Sequence, residues 1–200
     1  MSTLVVLEYV SLDGVIQAPG HAGEDPAGGF EHGGWTGPFM SDHRRFVAES
    51  FYAAEAFLLG RLTYEIFAEY WPTVTDAGDE IAQALNTRPK YVASTSLTDP
   101  TWDGTTVLGA EVAAEVAGLK AQPGRELLVV GSAELAQTLM EHGLVDEYRL
   151  MVHPIVLGGG KKLFRDGATA TPMHLVDVKA STSGLVLLTY RPDTQAAHAA

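Results

Sequence analysis

The chain has 200 residues, 46% hydrophobic and 19% charged, a balance that builds one compact core and argues against a disordered chain. It contains no cysteine, which excludes disulfides, thiolate nucleophiles and cysteine-based zinc or iron–sulfur sites. A net charge of −12 repels phosphate backbones and anionic membranes, so neither nucleic acid nor a membrane is expected as a partner, and a phosphate-bearing small molecule would have to be held by helix N-termini and placed cations.

No stretch approaches the roughly 18 apolar residues that span a bilayer. The N-terminus lacks a basic region and Glu8 interrupts its apolar run, so residues 4–10 (LVVLEYV) read as a first strand and not as a secretory signal. A cytoplasmic location is the expectation. Asp13-Gly14 marks a turn. Residues 17–38 are glycine-rich without periodicity, the composition of a functional or disordered loop. A helix is predicted from a Ser41 cap to about Ala54, then a strand at 56–60, and a helix from Arg61 to Tyr70 ended by Trp71-Pro72. A short helix over 79–86 and a strand at 90–94 come next, then a shorter strand at 105–108 and a helix broken at Pro123-Gly124. Residues 126–131 (ELLVVG) read as a buried strand, with Ser132 opening a helix to about His142. Residues 147–158 read as one long strand whose internal proline implies an edge, bulge or kink. The segment 173–192 reads as two closing strands joined near Ser183-Gly184. Strand–helix repeats followed by strands alone predict an α/β fold: a mostly parallel central sheet, helices on both faces, and an antiparallel C-terminal edge. One domain over 1–192 and a frayed tail over 193–200 are expected.

Three strand-to-helix junctions stand out, because open α/β sheets bind ligands where helix N-terminal amides point outward from strand ends. In the first, Gly60 permits close backbone approach, Arg61 supplies a cation and Thr63 can cap the helix or meet a phosphate; an ordinary glycine turn with a solvated arginine looks the same. In the second, Ser94, Thr95 and Ser96 can bond a phosphate or make a simple turn. In the third, Gly131 and a capping Ser132, followed by Ala133, Glu134 and Leu135, form a ready anion site or merely a well-capped helix. The G-x-G-x-x-G fingerprint is absent. Gly158-Gly159-Gly160-Lys161-Lys162 fails as a phosphate loop, since Lys162 stands where Ser or Thr is required. The seven histidines show no ligand spacing, so no metal is expected, and the lack of G-x-S-x-G argues against an α/β-hydrolase.

Five segments occur in an order that resembles the family joining dihydrofolate reductases to the reductase domain of the bifunctional riboflavin-biosynthesis deaminase-reductase: VSLDGVI (10–16), LLGRLTYEIFAEYWP (58–72), KYVASTSL (90–97), ELLVVGSAELAQTL (126–139) and GLVDEYRLMVHPIVLGGGKKLF (143–164). The resemblance implies a dihydrofolate-reductase-like fold and NADPH as cofactor. It implies that Gly60, Arg61 and Thr63 meet cofactor phosphates, that Ser94 and Thr95 with Arg61 hold the 2′-phosphate, and that Gly131 to Leu135 cradle the pyrophosphate. Ile16 would lie against the nicotinamide, and a homodimer through the late strands is implied. The acidic residue that dihydrofolate reductases place in the first helix is missing from its register, which falls near Arg44 with Asp42 two positions earlier. VSLDG and VDEYRLMVHPIVLGGG look closer to the riboflavin-type branch, although the deaminase domain that usually accompanies it is not in this chain.

The expected chemistry is hydride transfer from NADPH to a C=N or C=O group of a small heterocycle; a protein that binds NADP(H) or a small ligand without turnover is the alternative. Asp42 leads as proton donor or substrate anchor, with Asp13 behind it, and each reads equally well as an ordinary helix or turn acid. The 17–38 loop reads as a candidate lid, with Trp35 either stacking on substrate or packing in the core.

Overall fold

A computed structural model describes residues 1–193. Eight strands form one sheet: β1 (Thr3–Ser11), β2 (Ala54–Gly60), β3 (Lys90–Ala93), β4 (Thr105–Leu108), β5 (Glu126–Val130), β6 (Glu147–His153), β7 (Met173–Ala180) and β8 (Val186–Pro192). Their order is β4-β3-β2-β5-β1-β6-β8-β7. The first six run parallel, while β8 lies antiparallel to β6 and to the edge strand β7. That is the architecture expected from strand–helix repeats followed by strands alone. The expected tail at 193–200 lies outside the described residues apart from Asp193, whose N–H donates to Pro172 O at 2.8 Å.

Helices α1 (Met40–Ala53), α2 (Arg61–Tyr70), α3 (Glu80–Thr87), α4 (Val112–Ala121) and α5 (Ala133–Glu141) cover the sheet on both sides. Alternation along β1 sorts the two cores. Val5 and Leu7 face Phe46, Phe51, Tyr64, Ile81 and Leu85 from α1, α2 and α3, whereas Leu4, Val6 and Val10 face Val116, Leu135 and Leu139 from α4 and α5. Buried on both faces, the central strands are apolar almost throughout, as parallel strands require. Glu8 breaks that run and lies in the second core, with one carboxylate oxygen unpartnered; burial raises its pKa well above the usual carboxylate range. At the start of β3, one strand in from the β4 edge, Lys90 is fully buried, its amine donating at 2.8 Å to Leu85 O and Arg88 O and lying 4.5 Å from the Trp102 ring centroid.

Ser41 lies inside the first turn of α1, which starts at Met40 with Phe39 at its N-cap, so it does not cap that helix as expected, and two further expectations about the elements need correcting. The strand predicted over 147–158 stops at His153, because Pro154 has no N–H to continue the ladder. The chain then turns back along the end of β1. Leu12 N–H donates to Ile155 O, Ile16 N–H to Lys161 O and Leu163 N–H to Gly14 O, and Val15 pairs with Lys162 as an antiparallel bridge. This strap explains Gly160, which has φ +127° and where a Cβ would fall 2.7 Å from Val15 Cγ1. The second correction is at α5. Ser132 has left-handed φ of 64° and makes no side-chain cap.

Candidate functional site

Parallel strands of one sheet end on one side, and the ends of β1 to β5 open into a cavity of about 900 Å³. It runs across the strand tips from the β4 junction (Gly109–Ala113), past β3 (Ala93–Ser96) and β2 (Gly60–Thr63), to β5 (Val130–Leu135) and β1 (Tyr9), where Ile16–Gly20 and α1 close it.

All eleven residues expected at the cofactor line this cavity: Ile16, Gly60, Arg61, Thr63, Ser94, Thr95, Gly131, Ser132, Ala133, Glu134 and Leu135. Their local chemistry stems from how the junctions are built. Gly60 N–H donates to Ser132 Oγ at 2.8 Å, and that hydroxyl lies 3.0 Å from Thr63 Oγ1. Ser132 therefore ties the β2 and β5 junctions together where the sequence suggested a cap. Gly131, with φ +55°, brings its backbone close to Thr63, whose Oγ1 would be 3.5 Å from an added Cβ. With Ser132 turned away, the first amides of α5 have no side-chain acceptor, and those of α2 and α4 have none either. By contrast, α3 is capped by Asp79, which accepts from Ile81 N and Ala82 N at 3.1 Å. Three uncapped helix N-termini thus meet at one cavity, an arrangement that attracts an extended anion. Arg61 is half exposed and donates to both Glu65 carboxylate oxygens at 2.8 Å. Ser94 Oγ accepts from Ser96 N and Leu97 N, so it shapes its own turn as well as lining the cavity.

The other expected residues lie elsewhere. Asp42 does not line the cavity; it accepts from Ser183 N at 3.4 Å, beside the β7–β8 turn. Asp13 is also outside. It accepts from Ser11 Oγ and from the Leu157 and Gly158 amides at 2.7–3.1 Å, which clamps the strap onto β1. Those bonds, the Ser11 one foremost, hold its pKa at about 2. Trp35 is buried, donates its indole N–H to Gln17 O at 2.8 Å and meets His153 edge-on at 5.1 Å, so the core-packing alternative is the one observed. Nor is the 17–38 loop an open flap. The Gln17 amide donates to Asp25 O and Ala27 O and accepts from Lys161 N, and Lys161 pairs with Asp25 at 2.7 Å.

Three groups at the cavity were not singled out from the sequence. The β4–α4 junction repeats the strand–glycine–helix signature of its neighbours (TTVLG followed by EVAAEV), which was its available signal. Tyr9 could have been found from alternation along β1. His43 and Arg44 could have been found from α1, where His43 stands one turn before Phe46 and Val47 on the buried face. Burial, with the neighbouring His153 and Arg44 charges, lowers the His43 pKa to about 4. Tyr9 is pushed upward by burial and by Glu8.

A family model for the RibD C-terminal domain matches residues 2–187. The chain belongs to the RibD C-terminal domain family. A curated relative, the uncharacterized protein YyaP of Bacillus subtilis, is 32% identical over 139 residues, covering 68% of this chain and 73% of the relative. Among solved structures, one described as a candidate riboflavin biosynthesis protein from Shewanella sp. PV-4 superposes with a TM-score of 0.65 at 20% identity, covering 96% of this chain and 99% of that one. Dihydrofolate reductase from Enterococcus faecalis, solved with NADP(H) and RAB-propyl, gives 0.60 at 15% identity with 96% of both chains covered. The fold of this RibD C-terminal domain protein is therefore dihydrofolate-reductase-like. Among its described residues no helix is long and apolar enough to cross a membrane.

Proposed function

We propose that this RibD C-terminal domain protein is an NADPH-dependent reductase that transfers hydride to a C=N or C=O group of a small heterocyclic substrate. The observation that carries the reading is the convergence of the uncapped N-termini of α2, α4 and α5 on one cavity large enough for a dinucleotide and a small partner. The family match and the NADP(H) complex of the Enterococcus faecalis reductase support it. Bound NADPH supplies the hydride from its nicotinamide. The protein's own work is positional: the α5 amides with Gly131 receive the pyrophosphate, Arg61 with Ser94 and Thr95 receives the 2′-phosphate, and Ile16, nearly buried at 6% exposure, offers a flat apolar face to the nicotinamide.

A thermal-shift series with NADPH beside NADH, then cofactor oxidation followed at 340 nm across carbonyl and imine substrates, tests this. NADPH raises the melting temperature more than NADH, and Arg61→Ala narrows the gap. Saturable NADPH binding with no oxidation across the panel would instead support binding without turnover. No shift with either nucleotide defeats the cofactor assignment.

The homodimer belongs to the same reading. Seven of the eight residues of β7 are exposed, including Leu175, Val176 and Val178, and a partly apolar edge strand that pairs with β8 on one side alone invites a second copy on the other. Light scattering coupled to size exclusion is expected to give twice the 21.3 kDa chain mass, and Val178→Lys to shift it toward one chain.

A further inference from the structure

Among the described residues, three arginine or lysine side chains line the cavity, and each is already held by a carboxylate. Arg44 pairs with Asp79 at 2.6 Å, Lys161 with Asp25 at 2.7 Å and Arg61 with Glu65 at 2.8 Å. The first two acids are fixed parts of the scaffold: Asp79 is 13% exposed and caps α3, and Asp25 is 14% exposed and accepts the Ala27 amide. Glu65 is different. It is 45% exposed, lies outside the cavity lining, and its carboxylate bonds Arg61 alone among the described residues. Only Nη1 of Arg61 is engaged, donating to both Glu65 oxygens, so the Nε–Nη2 edge has no partner among the described residues. Arg61 also stands at the first position of α2, where the helix dipole disfavours a cation, so helix stability does not explain its place. Gly60 is level with Ala93 in the β2–β3 ladder, and Arg61 and Ser94 therefore leave neighbouring strands side by side.

From this arrangement we infer that Glu65 sets the cofactor preference: by occupying Nη1 of Arg61 and cancelling its charge, it limits the grip on the 2′-phosphate and keeps the choice of NADPH over NADH narrow. The inference rests on the reading that Arg61, Ser94 and Thr95 receive that phosphate. A guanidinium binds phosphate through paired N–H groups of a planar fork, and the free Nε–Nη2 edge is one such fork. The phosphate must share the cation with a carboxylate already on it, and the two anions repel each other. NADH carries a hydroxyl at that position, makes no demand on the charge of Arg61 and is indifferent to Glu65. An ion pair this exposed carries little stability, so its removal leaves the fold intact. Glu65 is thus a positioning residue that acts through Arg61 and touches no ligand itself.

The test is the ratio of the NADP⁺ and NAD⁺ dissociation constants, measured by isothermal titration calorimetry on wild type, Glu65→Gln and Glu65→Ala. Both variants tighten NADP⁺ by about three- to tenfold and move NAD⁺ less than twofold. Adenosine 2′,5′-bisphosphate gains the same factor as NADP⁺ in Glu65→Gln and adenosine 5′-phosphate gains none, which locates the effect at the 2′-phosphate. In an Arg61→Ala background, Glu65→Gln changes the ratio less than twofold, because the side chain it acts through is gone. A ratio that both Glu65 variants leave unchanged or shift toward NAD⁺ overturns the inference, as does a gain of equal size in the absence of Arg61. Wild type that binds neither dinucleotide overturns the cofactor reading and the inference with it, whereas binding of both with an unmoved ratio overturns the inference alone.

Discussion

At the scale of single residues, the chemistry turns on where a polar atom finds its partner. Asp42 and Asp13 were legible as acids near a pocket, yet both carboxylates spend their lone pairs on backbone amides outside it. Sequence spacing shows which residues are acidic and leaves open which way a turn aims them. His43 was legible only as part of a helix, since its significance comes from bonds it does not make. Its protonation makes a pH prediction. The folded group titrates near pH 4, against 6.5 when unfolded, so the unfolded chain binds more protons between those values. Stability is therefore complete above about pH 6.5 and falls as the pH drops toward 4, by roughly 2–3 kcal/mol from this residue. Urea unfolding across that range checks it: His43→Phe has the shallower acid slope. Ser132 makes a second prediction. Ser132→Ala removes the acceptor of Gly60 N–H and is expected to cost roughly 1 kcal/mol, read as a lower urea midpoint at unchanged slope.

At the scale of elements, buried runs ending in Gly or Ser marked β2 and β5 clearly, and α2 begins and ends where its sequence placed it. β6 did not, because an apolar run continues past Pro154 although pairing cannot. Beyond Pro154 the chain becomes a strap, and its pairing with residues 11–16 joins positions almost 150 apart, a relation no local pattern encodes. The strap makes its own prediction. Gly160→Ala meets both a forbidden φ and Val15, so it destabilises far more than Gly159→Ala, where a Cβ has open space. Differential scanning calorimetry of the two variants is the comparison, and equal melting temperatures would contradict the packing described.

At the scale of the whole molecule, a protein of charge −12 is proposed to bind a polyanion. The amides and Arg61 act at contact, while the overall field acts at a distance and opposes approach. Raising the ionic strength from about 10 to about 150 mM is thus expected to speed NADPH association, since the Debye length shrinks from roughly 30 to 8 Å. Stopped-flow quenching of protein fluorescence measures it, and a rate that falls with salt would mean that local cations dominate the approach.

The far end of the sheet carries an ionic lattice of its own. Arg149 bridges Glu126 and Glu147, and Glu147 also takes Arg191, which fastens the starts of β5 and β6 to the end of β8. Every residue of that lattice lies at the opposite strand termini from the cavity. Robustness and ligand choice are consequently adjustable in isolation: the rim around the pocket can diversify toward new substrates while the guanidinium–carboxylate lattice, untouched, keeps the scaffold fastened.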